Sequence, residues 1–447
     1  MKKPLFYLAL SVGLAGLAAG CSSTSKVTAP NTPAPAENPP SPPPPPPPPP
    51  QPSGPIEINL VTPDSTITPE YLEKLSKKFP NYKITHINQS SKGNSINELL
   101  TVGTPIDIVG RAGGGFVDDV ILTKLEVDMT NFIKEYKINL ADFEPRLINY
   151  IKSISNGGMY GIPGGYAINH VLFMNKSIFD QFGVPYLKDG MMWSEVMDVA
   201  AKLTRNEGGK QIYGFTGHTG VMTQWNQLGV PLIDLKTNKP TINTDERWRS
   251  YFQLVYSNET LNQAYRQNNV AFSGSTSRLV NGSTAILLFN AGIALTSKEL
   301  REETINWDMV SLPSFPEQPN QGSPMNSTIW ALTKQTRNQK AAMEVLAYLL
   351  SEENMLENSR IGFLTPMITE TVVSNFAKDA KPANKNWKAI VYNKYAPVPD
   401  KHPTETQVSA IYTKYIEQIV KGTIDMNTAM RQAEEEALKV IEEYNSR

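Results

Sequence analysis

The sequence predicts an α/β body behind an exported, tethered N-terminus, and three observations lead there. From Ile56 onward, short strand-like apolar runs alternate with helical segments, the pattern that builds sheets with helices packed on their faces. The chain is 40% hydrophobic and 19% charged over 447 residues, enough to bury a core and to fill two or three domains. Of its 35 prolines, sixteen lie between Pro30 and Pro55, so the proline excess belongs to one segment.

Composition removes several function classes. Forty-two basic residues against 43 acidic leave a formal charge of −1, whereas a nucleic-acid binder needs a net basic surface. The only cysteine is Cys21, which excludes intramolecular disulfides, cysteine-rich zinc sites and iron–sulfur clusters. His86, His170, His218 and His402 are dispersed and never at metal-ligand spacing. No cofactor is expected.

Residues 1–21 read as an address. Lys2 and Lys3 precede an apolar stretch from Leu5 to Ala19, which is short of the ~20 residues a membrane span needs and fits a secretory signal. Ala18-Ala19-Gly20-Cys21 resembles the bacterial lipobox, in which the cysteine is lipidated and becomes the mature N-terminus. Leu17 stands one place earlier than that motif prefers. The resemblance makes residues 1–20 a signal peptide, Cys21 the lipidation site, and residues 21–55 a tether from the membrane. Within the tether, Pro42 to Pro50 are nine consecutive prolines, a polyproline II rod of roughly 28 Å at ~3.1 Å per residue.

The body's elements follow in order. Ile56 to Val61 alternates as a strand, Pro69 opens a helix with Leu72, Leu75 and Phe79 on one face, and Tyr82 to Ile87 is a second strand. Ser95 to Val102 is a short helix and Ile106 to Val109 a third strand. Further strands are expected at Ile168–Met174, Tyr213–Thr216, Thr284–Phe289, Trp307–Leu312 and Thr328–Thr333. Ala342, Val345, Leu346 and Leu349 mark a helical face, as do Met430, Ala433, Ala437 and Ile441. No repeat of 20–50 residues is visible.

Enzyme motifs are mostly missing. Gly110-Arg111-Ala112-Gly113-Gly114-Gly115-Phe116 follows a strand, but lacks both the dinucleotide spacing and a P-loop lysine. There is no nucleophile elbow, zincin motif or EF-hand loop. A glycosidase needs only two placed carboxylates; Asp118-Asp119 is one candidate pair, and a solvated helix start is its plainer reading.

Gly158-Met159-Tyr160-Gly161-Ile162-Pro163, followed by Leu172-Phe173-Met174-Asn175-Lys176-Ser177-Ile178-Phe179, resembles extracellular solute-binding proteins of the maltose-binding type. Phe182-Gly183-Val184-Pro185 and Trp193-Ser194-Glu195 continue that resemblance, with Met192 where the family usually has a capping threonine. Gly282-Ser283-Thr284-Ala285-Ile286, Val310-Ser311-Leu312-Pro313, Ala331-Leu332-Thr333-Lys334 and Gly362 to Pro366 extend it in order across residues 56 to 445.

The resemblance implies a two-lobed periplasmic-binding-protein-like α/β fold of class II type. Each lobe would be a mixed sheet flanked by helices, with a ligand cleft between them. It assigns 56–166 and 290–350 to lobe one, 167–289 and 351–447 to lobe two, and hinges near Tyr166 and Phe289-Asn290. It also implies a monomeric substrate-binding lipoprotein of an ABC importer, which captures an oligosaccharide and presents it to a membrane permease. A surface glycan-active enzyme and a module feeding a sensor are the alternatives.

Sugars offer apolar ring faces and belts of hydroxyls, so their sites need aromatic plates with amide and carboxylate partners. Within Met222-Thr223-Gln224-Trp225-Asn226 and Gln407-Val408-Ser409-Ala410-Ile411-Tyr412, the resemblance nominates Trp225 and Tyr412 as stacking platforms, with Gln224 beside Trp225. Both rings also read as core. Tyr166, Asn290 and Asn326 stand at predicted strand ends as partners for hydroxyls. Arg111 ends a strand beside a glycine-rich turn, placed to clamp an acidic sugar or to form a structural ion pair. Trp330, His170 and His218 read as structural.

Overall fold

The computed structural model describes residues 54–63, 67–399 and 401–446. The signal, Cys21 and the proline-rich tether lie outside the described residues, apart from the last two positions of the tether. Residues 54–447 form one compact unit.

Numbered along the chain, the strands are β1 (Ile56–Thr62), β2 (Tyr82–Asn88), β3 (Ile108–Ala112), β4 (Ile162–Ile168), β5 (His170–Asn175), β6 (Arg205–Glu207) and β7 (Lys210–Gly217). They continue as β8 (Ile233–Asp234), β9 (Lys239–Pro240), β10 (Thr284–Asn290), β11 (Trp307–Ser311), β12 (Gln321–Pro324), β13 (Asn326–Leu332) and β14 (Lys394–Ala396). Two five-stranded sheets result, ordered β2-β1-β3-β13-β4 and β11-β5-β10-β7-β6. Both are mixed. β1 runs parallel to β2 and β3, while β13 runs antiparallel to β3 and β4. β10 is parallel to β7 and antiparallel to β5.

Local sequence explains where the elements begin. Thr68 caps the helix Pro69–Lys78, accepting from the Tyr71 amide at 3.2 Å, and Pro69 occupies the first turn. Ser95 and Glu98 close a reciprocal capping box on the helix Ile96–Val102. At the start of the helix Trp193–Leu203, where Met192 replaces a capping side chain, the Glu195 carboxylate accepts from the Met192 amide at 2.8 Å.

Packing sets the sheet spacing. On one face of the first sheet Trp330 lies across its neighbours, and a Cβ on Gly110 or Gly164 would come within 2.7 or 2.8 Å of the indole. In the second lobe β7 approaches the helix Trp193–Leu203 so closely that a Cβ on Gly214 would stand 1.8 Å from the Ala200 carbonyl oxygen. Only glycine fits these approaches.

The segment boundaries differ from those the sequence suggested. β11, expected in lobe one, pairs along β5 in the second sheet, and Trp307 packs on Phe173 at 5.8 Å. The short helices Ile293–Thr296 and Lys298–Arg301 bury Ala294 and Leu300 in that same core. Conversely, Met355, Met367 and Val372, expected in lobe two, are buried in the core of the first lobe. The first sheet and its core thus draw on β13 and on residues as far as the helix Glu370–Ser374. Strand and helix periodicity identify elements but not the sheet each one joins, which explains the shift.

His170 opens β5 and is buried, which pushes its imidazole pKa down to about 4, with His218 adding a smaller like-charge effect. Between pH 6.5 and about 4 the unfolded chain then binds a proton that the native chain does not, so stability rises with pH across this window and is lost as pH falls through it. A shift of that size corresponds to about 3 kcal/mol. Denaturant titrations at pH 7 and pH 4.5 should show a smaller acid loss in His170→Gln than in the parent. Parallel losses in the two proteins would place the acid sensitivity elsewhere.

Candidate functional site: the cleft between the lobes

The cleft follows from where the chain crosses. β4 ends at Ile168, β5 begins at His170, and only Asn169 separates the two sheets. β13 enters the first sheet at Asn326, paired with Ile168, directly after β12. A third passage is tied to these where the Ala167 amide donates to the Leu364 carbonyl at 2.6 Å. Strand ends of both sheets therefore face a common space.

A cavity of about 560 Å³ opens beside these crossings. The first lobe contributes Thr68, Tyr71 and Lys74 from the helix Pro69–Lys78, and Thr328 and Trp330 from β13. Gly165, Tyr166 and Phe363 form the wall at the passages, and Thr296 and Asp379 approach from the second lobe. Tyr166 and Phe363 pack with ring centroids 5.1 Å apart. The Tyr71 hydroxyl donates to Asn354 at 2.7 Å, and burial raises its pKa well above the usual tyrosine value. Four of the five charges in the wall are paired, Lys74 with Glu357 and Arg360 with Asp379 by two bonds of 2.6 and 3.0 Å, and Glu70 is the fifth. Four aromatic rings, hydroxyls and neutralised charges suit a ligand that is polar, ring-shaped and uncharged.

The second contact between lobes is filled. Trp225 ends the helix Thr219–Gln224 and lays its indole on Gly113 of the first lobe, where a Cβ would come within 2.9 Å of two ring carbons. Lys401 stands 4.7 Å from the centre of that ring and donates to the Gln224 carbonyl at 3.3 Å. Its own partner is Glu405, buried beside it, whose pKa is raised by burial against the opposing pull of Lys401. Between Gly113, Tyr150, Trp225 and Asn326 only about 10 Å³ remains free.

The residues nominated by sequence are thus dispersed. Tyr166 lines the cavity beside the crossings, and Asn326 and Trp225 meet at the filled seam. Asn290 ends β10 opposite His170, beside the crossing. Gln224 faces a separate groove of about 610 Å³ on the second lobe, with Ser409 and Thr413. Arg111 is committed to Asp119 at 2.5 Å, and Asp119 also accepts from Gln89 at 2.6 Å. Its guanidinium lies over Gly115, where a Cβ would approach to 2.8 Å. That pairing also occupies half of the Asp118-Asp119 couple. Asp118 itself is raised by burial and then by the charge of Asp119.

Tyr412 requires correction. It is fully buried in the second lobe, donating to the Leu232 carbonyl at 2.9 Å, accepting from the Ile242 amide at 3.2 Å, and meeting Trp248 edge-on at 5.6 Å. Val408, Tyr415, Ile416 and Ile419 share its helix face in the same core. It is a packing residue and presents no face to a ligand. The sequence reading missed Tyr71, Thr296 and Phe363, which carry no motif, and assigned Trp330 to the core alone. Its burial is as expected; its place in the cavity wall is not legible without the sheet.

With this geometry in view, comparison with known proteins places the chain. The bacterial extracellular solute-binding protein family model matches residues 59–356. The chain belongs to that family. No curated protein matches its sequence. Among solved structures, it is similar to a sugar transporter of Rhizobium etli in an open conformation, at 19% identity and TM-score 0.66, covering 86% of this chain and 99% of that one. It is also similar to an ABC substrate-binding protein of Listeria monocytogenes in complex with cycloalternan, at 15% identity and TM-score 0.67, covering 87% and 99%. The sugar-binding protein MalE of Xanthomonas citri matches at 15% identity and TM-score 0.64, covering 87% and 98%. The two-lobed fold is thus that of binding proteins in this family. Among the described residues, no helix is long and apolar enough to cross a membrane, and no group of three or more His, Cys, Asp or Glu is placed to hold a metal.

The two aromatic residues Tyr412 and Trp225 separate experimentally. Tyr412→Ala should cost about 3–5 kcal/mol of unfolding free energy, as for a buried aromatic. Trp225→Ala, at a half-buried interlobe position, should cost less than half as much in the same urea titration. Equal losses would mean that Trp225 belongs to a lobe core and not to the seam.

Proposed function

We propose that this protein is the substrate-binding lipoprotein of an ABC importer, anchored through Cys21 and capturing a carbohydrate, most simply an oligosaccharide, between its lobes. The observation that carries the reading is the interlobe cavity walled by Tyr71, Tyr166, Trp330 and Phe363, with hydroxyls from Thr68, Thr296 and Thr328 at its edge. Aromatic faces cover the apolar faces of pyranose rings, and the hydroxyls meet the sugar's polar belt. Membership of the extracellular solute-binding family supports it. So do relatives of the same fold described as binding mannobiose, tagatose and mannitol.

The mechanism needs no reaction. A ligand bridging Tyr166 and Trp330 on one side and Thr296 on the other has partners on both lobes only when they are close. Binding therefore shifts the open–closed equilibrium by its differential affinity for the closed form. The closed form is the one a permease recognises, and the anchor and tether keep the receptor at the membrane where that permease lies. The paired wall charges favour neutral over charged solutes.

A melting screen of mono- and oligosaccharides tests the ligand class. A true ligand at one hundred times its Kd should add about 2.7 kcal/mol to stability, and no reducing ends should accumulate during the incubation. A screen in which no carbohydrate raises the melting temperature, while amino acids or polyamines do, would contradict the reading. Cys21→Ser tests the anchor: the variant should leave the membrane fraction or retain its signal. A processed variant that stays with the membrane would rule out lipidation at that residue.

A further inference from the structure

Trp225 belongs to one lobe and is seated on the other. It ends the helix Thr219–Gln224 of the second lobe, and its ring carbons Cζ2 and Cη2 lie where a Cβ on Gly113 would come within 2.9 Å. Gly113 follows β3 of the first lobe and has φ of +37°, a conformation that favours glycine, and the bare backbone there forms the seat for the indole. Tyr150, Asn326 and Ile329 of the first lobe close around it, leaving about 10 Å³ free. Protein atoms alone complete this contact, and the cavity of about 560 Å³ beside the crossings lies outside it.

The ring is also held from its own lobe. Lys401 stands 4.7 Å from the ring centre, donates to the Gln224 carbonyl at 3.3 Å and is paired with Glu405, buried beside it. A side chain fixed in advance loses little rotamer freedom on contact, so more of the contact's free energy is left to join the two surfaces. Val398 lines the same seam and packs on the first-lobe core, while its neighbour Pro397 lies against Gly229 of the second lobe.

We propose that Trp225 seated on Gly113 is an interlobe latch that biases the protein toward its closed form, so that Trp225 is a positioning residue for ligand capture. Gly113 follows β3, which lies one strand beyond β13, where the chain re-enters the first sheet. Rotation at the passages between the sheets therefore withdraws the indole from its seat. A contact made only in the closed form raises the closed population by itself. Any solute that binds the closed form then has an apparent affinity scaled by that population. The latch acts alike on all such solutes, whatever their chemistry, and so stands apart from the carbohydrate reading.

Double electron–electron resonance on the full chain, with no sugar added, reads the two populations. Spin labels go on Val102→Cys of the first lobe and Leu235→Cys of the second, both exposed positions, in a Cys21→Ser background that removes the only native thiol. Trp225→Ala removes an aromatic anchor and should lower the ratio of short to long interlobe distances by about tenfold or more. Gly113→Asn should act in the same direction, because asparagine tolerates a positive φ while its Cβ blocks the seat. Val255→Ala, in the second-lobe core and away from the seam, should leave the ratio unchanged. An unchanged ratio in either folded latch variant, or an equal shift in Val255→Ala, would overturn the latch. Should Trp225→Ala not fold, Gly113→Asn decides alone.

Discussion

Asn169 is the one residue between β4 of the first sheet and β5 of the second, and the placement of every other part of the cleft depends on that passage. Its carbonyl accepts from the Ala291 amide at 2.9 Å, and its side-chain amide donates to the Ile390 carbonyl at 2.5 Å. One residue on, the His170 amide donates to Ser323 Oγ at 2.9 Å, and one residue before, Ile168 pairs with Asn326. The crossing is thus stitched to both return strands. In the proposed closure, small backbone rotations at these passages would carry the sheets as rigid units.

The electrostatics of the cleft follow the same economy. Arg111 with Asp119, Lys74 with Glu357, Arg360 with Asp379 and Lys401 with Glu405 are each closed pairs. The cavity wall holds the Lys74–Glu357 and Arg360–Asp379 pairs beside aromatic rings and threonine hydroxyls. The first three of the four pairs are partly exposed and contribute little to stability, whereas Lys401 and Glu405 are buried together. Under the proposed function their larger effect is on selectivity, because a charged solute would have to compete with an existing partner.

Much of the fold was legible in the sequence. The strands β1, β2, β10 and β11 and the helix Gln339–Leu349 lie within one or two residues of their periodic patterns, since apolar alternation and helical spacing are local properties. Lobe membership was less legible. β11, expected beside the first sheet, pairs in the second, and the helices Glu352–Arg360 and Glu370–Ser374 pack on the first-sheet core, because the partners of these segments lie more than a hundred residues away. The site was least legible. Tyr166, nominated at a strand end, lines the cavity, whereas Tyr412 is buried in a lobe core because sequence similarity located an aromatic ring without its helix face. Trp330 was read as core, and it is; its role in the wall depends on Gly110, Gly164 and Gly165, which reach it from two different strands.

The central claim is that a carbohydrate held between the lobes draws them together. Small-angle X-ray scattering of the mature chain, with and without a sugar identified by melting, tests it directly. The radius of gyration should fall on saturation, and the scattering of the saturated sample should fit the closed two-lobed shape. A sugar that binds stoichiometrically while leaving the scattering curve unchanged would contradict the account, because it would show a ligand without differential affinity for the closed state.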